Sequence, residues 1–370
     1  MAAEADMKVP SDHSAMVYDK PGSISLQRRI VKTPMPGHGQ VLIRITHSGI
    51  CHSDHGVMTH AWKWLARRIE PGQVGGHEGV GSIVKLGSGT EASGLRLGDR
   101  VGVKWVSEAC LSCPPCLEGA DGCCVNIKIS GYYTPGTFQQ YTLAPAYYVT
   151  PIPDSVPSTV AAPLLCGGLT ALAAIKKAKE SPGSWVLVAG AGGGVGHLVC
   201  QIASREFSLR VIGIDRVMKK VMIHDCGVEE FLALEDYSMG LQRQYEVVQA
   251  VRKLTDGLGV AAAVVCTGEA AAYSWGFECL RFNGTLVVVG VQQGDETPIC
   301  SASPNAFLFH QRRIVGSSVG NRLDAIEVMK LAARGIVKPH FTLRSLEELS
   351  DIFEEMERGE LLGKVVVEVR

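Results

Sequence analysis

The cysteine, histidine and acidic residues of this 370-residue chain form two groups whose spacing suits metal chemistry. The first is the run Cys110, Cys113, Cys116 and Cys124, in the pattern C-x2-C-x2-C-x7-C. Four thiolates so close in sequence can wrap one tetrahedral Zn²⁺ and leave no open position, which makes a structural site. Pro114 and Pro115 stiffen the loop between the ligands. Cys123 adjoins Cys124, so spacing alone leaves the fourth ligand open between them. Two other readings compete: unrelated thiols, and a zinc ribbon for nucleic acid. The density of the run disfavours the first, and the lack of a surrounding basic or aromatic patch disfavours the second.

The second group is dispersed. Cys51-His52-Ser53-Asp54 ends a strand, Gly75-Gly76-His77-Glu78-Gly79 lies in a glycine-rich turn, and Cys166 precedes Gly167-Gly168 at a helix start. Two thiolates and one imidazole would leave a fourth zinc position open for water or substrate, as catalysis requires. Taken singly, each has an ordinary alternative: a buried cysteine, a core or surface histidine, a helix-start thiol.

A third feature is a loop for phosphate. An apolar strand over residues 185–189 runs into Gly190-Ala191-Gly192-Gly193-Gly194-Val195-Gly196 and then a helix to residue 205. Small residues let the backbone approach a pyrophosphate, and the helix N-terminus offers free N–H groups to its charge. The spacing is not a strict GxGxxG, and a glycine-rich turn without a ligand is the alternative. Asp215 adds weight: it ends the strand over 210–214, where an acid bonds the ribose hydroxyls and repels a 2′-phosphate. NAD is therefore expected over NADP, although adjacent Arg216 could accommodate a phosphate.

These residues need rigid elements behind them. Hydrophobic residues make up 46% of the chain but aromatic ones only 6%, with 42 glycines, which favours sheets closely covered by helices. Up to about residue 157, short alternating strands are broken by Gly/Pro turns. A helical stretch over 159–179 follows, then strand–helix alternation: strands over 185–189, 210–214, 260–265 and 285–290, helices over 195–205, 217–225 and 269–281. That rhythm implies a parallel, doubly wound sheet. Helices over 322–334 and 346–358 and a strand over 364–369 close the chain. A formal net charge of −1 removes any global electrostatic case for nucleic acid or membrane. Residues 1–14 carry Glu4, Asp6, Lys8 and Asp12 without an apolar leader core, and the longest apolar runs fall short of the ~20 residues of a bilayer span. Twelve cysteines then point to thiols and metal in a reducing, cytoplasmic setting.

Jointly the motifs resemble the zinc-dependent medium-chain alcohol dehydrogenases (dehydrogenase/reductase superfamily), particularly the microbial tetrameric branch. The likeness covers nearly the whole chain, including 51–54, 75–81, 103–124, 163–170, the glycine loop, 284–290, 314–322 and 333–338. It implies an α/β protein: a GroES-like β-rich catalytic domain, 1–163 and 310–370, with a Rossmann NAD-binding domain, 164–309, inserted. It implies Cys51, His77 and Cys166 as ligands of a catalytic zinc, and Cys110, Cys113, Cys116 and Cys124 of a structural one. Asp54 resembles the carboxylate that orients His77, Glu78 the buried acid that approaches the zinc as ligands exchange, and Ser53 the hydroxyl that takes the alcohol proton. His52 and Lys364 match positions near the cofactor phosphates, and Gly190, Gly192, Gly193, Gly194, Val195, Gly196, Asp215, Lys220 and Val289 fall at cofactor-binding positions. Trp105 and Trp62 resemble pocket residues, with Trp64 an alternative second wall.

The implied reaction is hydride transfer between an alcohol and NAD(H) through a zinc-bound alkoxide, with carbonyl reduction as the reverse. A homotetramer is implied, or a homodimer, joined near 284–290 and 298–309. Two departures stand out. Much of the family has a proton-relay histidine five positions after the first zinc cysteine; here that residue is Gly56, and His55 lies one position early. Residues 58–73 are also longer than in close microbial relatives and could reshape the cleft for a bulky metabolite. A pathway-specific dehydrogenase or carbonyl reductase is the alternative within the enzyme class. A zinc-stabilised nucleotide-binding protein without catalysis is the alternative outside it, disfavoured by the full set of catalytic ligands.

Overall fold

The structure is a computed structural model and describes residues 9–292 and 296–370. The start of the N-terminal stretch, with Glu4, Asp6 and Lys8, lies outside the described residues. Two large sheets organise the rest. One has six strands in the spatial order Glu230–Ala233, Arg210–Asp215, Trp185–Ala189, Val260–Val265, Leu280–Val288, Arg313–Gly316. Every neighbouring pair is parallel. The central strands are buried on both faces, which is why Val260–Val265 carries no polar residue. The first strand sits mid-sheet with the chain winding both ways from it, so a crevice opens at its carboxyl end, where the glycine loop begins.

The second sheet has seven strands and centres on Gln40–Ile50, which pairs antiparallel with Gly79–Leu86, Tyr141–Pro145 and Lys364–Glu368. Its register pairs Ile50 with Val365 and Ser48 with Gly79. Cys51 follows one strand, His77 and Glu78 precede the next, and Lys364 opens the third. Backbone pairing therefore delivers four chemical groups from three distant stretches to one sheet end. This is the structural reason the chain must return after its parallel sheet.

Several sequence expectations need correction. The helix expected to run to residue 281 ends at Glu278, and the following strand begins at Leu280. A register shift between Val260 and Ala262 marks irregular pairing there, which hides the alternation of Leu280–Val288. The strand Glu230–Ala233 and the helix Leu241–Leu254 were not expected; that helix buries only Val247, Val248 and Val251, too thin a stripe to stand out. The sixth parallel strand, Arg313–Gly316, lies past the boundary drawn at residue 309. The helical stretch Ser158–Ala178 is long and apolar enough to cross a membrane, contrary to the reading of short apolar runs, and 83% of its apolar window is buried inside the protein. Around Cys166 that stretch takes a π turn, Leu164–Gly168.

The lobe carrying the four clustered cysteines is tied to the return segment. Asp121 Oδ2 accepts hydrogen bonds from the Tyr148 hydroxyl (3.0 Å) and from the Arg322 backbone N–H (3.2 Å), which starts the helix Arg322–Ala333. Beside it Lys104, buried, donates to the Tyr148 carbonyl and lies 3.8 Å from the centre of the Tyr148 ring. Burial pulls the Lys104 ammonium down to about 7, against the opposing pull of Asp121. Between pH 7 and the ordinary value of 10.5 the unfolded chain holds a proton on this lysine that the folded chain lacks, so folding gains stability as pH rises through that window. In Lys104→Met that contribution disappears. Thermal melts from pH 7 to 9.5 are expected to show a flatter rise in the variant; a difference from wild type that stays constant over the range contradicts this.

Candidate metal and dinucleotide site

The helix His52–Met58 begins at Cys51, and its third residue is Asp54, which reaches back to accept the Cys51 N–H (3.1 Å) on Oδ2. Its other oxygen accepts the Gly76 N–H (3.1 Å) and the His77 Nδ1–H (2.9 Å). Because Nδ1 donates to a carboxylate, the His77 Nε2 lone pair is left free. That atom is buried and has no hydrogen-bond partner. Burial alone would lower the His77 pKa, but the charge of Asp54 and the bond to it raise it to about 10, so a metal ion at Nε2 would bind by displacing a proton from that nitrogen.

Cys166 arrives from the π turn, its Sγ 3.9 Å from that of Cys51. Hydrogen bonding between these thiols drives the Cys51 pKa well down and the Cys166 pKa well up, so the pair favours a thiolate on Cys51. Glu78 completes the group: one ligand atom each from Cys51, His77, Glu78 and Cys166 lies within 4.8 Å of the others. Glu78 Oε1 accepts from Lys364 Nζ (2.6 Å), while Oε2 is buried without a partner. A Cβ on Gly49 would stand 1.9 Å from Oε2, so this carboxylate fits only against glycine. Two thiol groups, a free imidazole nitrogen and an unsatisfied carboxylate oxygen form a donor set suited to Zn²⁺. Ser53 Oγ lies 3.5 Å from Cys51 Sγ, at the edge of this set.

Cys110, Cys113, Cys116 and Cys124 form a second group, with sulfurs mutually within 4.8 Å. Cys124 faces inward and accepts N–H bonds from Cys110 and Asn126, whereas Cys123 is exposed. The geometry resolves what spacing left open. Backbone N–H groups, that of Ser112 foremost, lower Cys110 to about 5, and burial pushes Cys116 up to about 12. An all-thiol group of this kind has no open position and suits a structural ion.

At the glycine loop, Gly192 N–H donates to Asp215 Oδ2 (2.8 Å), joining the loop to the next strand's end. A Cβ on Gly196 would lie 2.0 Å from the Gly190 carbonyl oxygen, so the tight turn needs a residue without one. These features form a cradle suited to a dinucleotide. Arg216 reaches toward the Gly359 carbonyl (3.5 Å). Lys219 lies 3.6 Å from Asp215 Oδ1, while the sequence-predicted Lys220 is exposed on the first turn of Lys220–Asp225. Val289 follows its strand and bonds the Val265 carbonyl at the carboxyl end of the sheet.

Lys364 departs from its expected phosphate position. Its Nζ is buried and turned to Glu78 and to the Ile50 carbonyl (2.7 Å). Burial alone would discharge this lysine, but Glu78 and the two thiols hold it protonated. Only its aliphatic stem lies beside the glycine loop, 3.0 Å from where a Gly194 Cβ would be. His52 begins the first helix, its ring 5.5 Å from that of His55.

Trp105 lies edge-on to His77, with ring centres 4.8 Å apart, and Trp62 lies edge-on to Trp105 at 6.0 Å. Trp64 stacks on Trp62 at 5.3 Å and is exposed. A Cβ on Gly56 would stand 2.6 Å from Trp62 Nε1. The indole from the long 58–73 segment thus excludes any side chain at position 56, histidine included. His55 is buried, and its Nε2 pairs with Glu357 Oε1 (2.9 Å) at the protein surface. Sequence reasoning missed His197, buried between the glycine loop and residue 340. Its signal was a polar residue on the apolar face of the helix that follows the loop.

The family model described as "Alcohol dehydrogenase GroES-like domain" matches residues 37–154, and that described as "Zinc-binding dehydrogenase" matches 194–334. The chain is 51% identical to "Alcohol dehydrogenase 2" of Emericella nidulans over 364 residues, 98% of this chain and 99% of the relative. It is 34% identical to "Alcohol dehydrogenase" of Schizosaccharomyces pombe over 369 residues, again 98% and 99%. Among solved structures, an alcohol dehydrogenase from Aeropyrum pernix superposes with a TM-score of 0.84 at 27% identity, covering 96% of this chain and 99% of that one. Acetophenone reductase from Geotrichum candidum in complex with NAD gives 0.82 at 27%, covering 97% and 98%.

Asp54→Asn keeps the size of the side chain but removes the charge that orients His77. Zinc affinity at the dispersed group is expected to fall about 10- to 100-fold, read by chelator competition. Retention equal to wild type, with the fold intact by circular dichroism, contradicts the orienting role.

Proposed function

The chain belongs to the zinc-dependent medium-chain alcohol dehydrogenase family, and from that premise we propose how its residues carry out NAD-dependent interconversion of alcohols and carbonyls. The observation that carries the reading is the buried, unpartnered Nε2 of His77 facing the thiols of Cys51 and Cys166. These three residues would hold the catalytic Zn²⁺, and Cys110, Cys113, Cys116 and Cys124 a second, structural one. Bound there, the catalytic ion supplies Lewis acidity, which lowers the pKa of an alcohol hydroxyl and polarises a carbonyl in the reverse direction.

The chain's own residues do the remaining work. Ser53 Oγ, beside the ligand set, accepts the alcohol proton in oxidation as its own hydroxyl proton passes on to solvent water, and the exchange runs in reverse in reduction. Asp54 keeps the His77 imidazole in one tautomer. Glu78 presents one oxygen to the ligand set while Lys364 holds the other. The glycine loop and Asp215 would hold the dinucleotide at the carboxyl end of the parallel sheet, where a bound nicotinamide would supply hydride acceptance in oxidation and hydride donation in reduction. The acid at Asp215 favours NAD, and the turn of Arg216 toward Gly359 supports that choice. Trp105 and Trp62 wall the substrate side. Proton exit past Ser53 cannot use residue 56, where the Trp62 indole leaves no room.

A homotetramer built on a dimeric unit, working in the cytoplasm, completes the proposal. The strand Arg313–Gly316 ends the parallel sheet, and the adjacent helix Pro304–His310 exposes Leu308 and Phe309. An open sheet edge flanked by exposed apolar side chains favours pairing with a second copy.

Following NADH absorbance with alcohols from ethanol to hexanol, and with both NAD⁺ and NADP⁺, tests the activity. Turnover on these alcohols with NAD⁺ preferred is expected; negligible turnover across the series, with activity on a bulky carbonyl, favours the specialised reductase instead. Metal analysis is expected to find about two zinc per chain. One zinc per chain would leave only the structural group filled and contradict the catalytic assignment.

A further inference from the structure

A buried histidine outside the metal group connects the glycine loop to the return segment. His197, the second residue of the helix Gly196–Arg205, is fully buried. Its Nδ1 lies 2.8 Å from the Gly193 carbonyl oxygen, and its Nε2 lies 3.1 Å from the backbone nitrogen of His340. A carbonyl oxygen only accepts and a backbone N–H only donates, so the tautomer is fixed: Nδ1 carries the proton and Nε2 is the acceptor. Burial, helped by the charges of Lys364 and Lys219 and by His340, lowers the His197 pKa to about 3 against the bond to Gly193. The ring is neutral at physiological pH, and both its nitrogens are in use.

The bond to Gly193 has a geometric consequence. The peptide joining Gly193 and Gly194 is planar and trans, so its C=O and N–H point in opposite directions. The same oxygen accepts the His197 backbone N–H at a longer 3.3 Å, so the imidazole adds a second, shorter bond to the first helical one. With the oxygen held toward His197, the Gly194 N–H points the other way, and no hydrogen bond from it occurs among the described residues. A donor fixed in this way, at the start of a helix, is what an anion needs. We propose that His197 is a positioning residue for the dinucleotide: by holding the Gly193 carbonyl it aims the Gly194 N–H at the pyrophosphate. The proposal rests on the NAD-dependent reading of this site and adds a residue to it.

The same histidine links the loop to the metal group. His340, whose N–H bonds His197, accepts the Lys364 N–H on its own carbonyl (2.9 Å), and Lys364 Nζ bonds Glu78. Hydrogen bonds joined through His340 and Lys364 therefore run from the phosphate loop to Glu78, beside the proposed zinc ligands.

Two isosteric variants separate the two nitrogens. The amide of His197→Asn can place its NH₂ where Nδ1–H stood and keep the bond to Gly193. That of His197→Gln reaches the Nε2 position and loses that bond. Binding of NAD⁺ to the zinc-loaded protein, measured by calorimetry without alcohol, is expected to stay within about twofold of wild type in H197N and to weaken about tenfold in H197Q. In turnover, H197Q is expected to raise the KM for NAD⁺ with kcat little changed. Equal weakening in both variants means packing alone matters and overturns the proposal, as does wild-type affinity in H197Q. Wild-type protein that binds no NAD⁺ overturns the functional reading itself, a distinct result. Should H197Q fail to fold, NMR of wild-type protein carrying isotope-labelled histidine still decides the matter. A proton on Nδ1 of His197 supports the proposal, and a proton on Nε2 overturns it.

Discussion

The metal site depends on one buried carboxylate. Asp54 accepts three hydrogen bonds, from the Cys51 N–H, the Gly76 N–H and the His77 Nδ1–H, and so ties two ligand-bearing segments from different strands together. Burying a carboxylate with fewer partners would be costly, and three directed donors offset that cost while fixing geometry. Each bond also has a chemical consequence. The bond to His77 decides which ring nitrogen is free, and the bond to Cys51 sets the start of the helix on which Ser53 sits. Removing any one would loosen a ligand, not only a contact.

Around that carboxylate the charges are balanced locally. The charge of Lys364, a buried residue, offsets those of the Cys51 thiolate and of Glu78, to which it bonds directly. A fully buried ion pair gains little net stability, because desolvation offsets much of the attraction. Its value here is positional: the lysine fixes one Glu78 oxygen and leaves the other, buried beside Gly49, without a partner. Lys364 belongs to a strand that pairs with Gln40–Ile50, so the last segment of the chain is part of the site. Its backbone also bonds His340, and through His340 meets His197 and the phosphate loop. The two sheets thus share a bonded path between the Glu78–Lys364 pair and the glycine loop.

Features close together in sequence were legible from sequence. The four-cysteine run and the glycine loop with Asp215 each declare their chemistry by local spacing, and the structure places each as one compact group. Cys51, His77 and Cys166 are far apart in the chain; donor type suggested the group, each member kept an ordinary alternative, and resemblance assigned the set. Resemblance placed Lys364 near the cofactor phosphates, and its bond to Glu78, 286 positions away, follows no local pattern that sequence could show. Gly56 read as the loss of a histidine; its cause is the Trp62 indole, delivered by a loop whose path sequence does not give. His197 was invisible for a related reason, since a polar residue inside an apolar helix face reveals its role only when both bonding partners are in place. The helix Leu241–Leu254 was missed because tertiary packing, not a strong apolar stripe, holds it.

The most direct test of the central claim is an anomalous-scattering difference map at the zinc absorption edge from crystals of the zinc-loaded protein. Two peaks per chain are predicted. One lies among the sulfurs of Cys110, Cys113, Cys116 and Cys124, and the other is bounded by Cys51 Sγ, His77 Nε2 and Cys166 Sγ. A single peak in the four-cysteine lobe, with His77 Nε2 bonded elsewhere, would contradict the account.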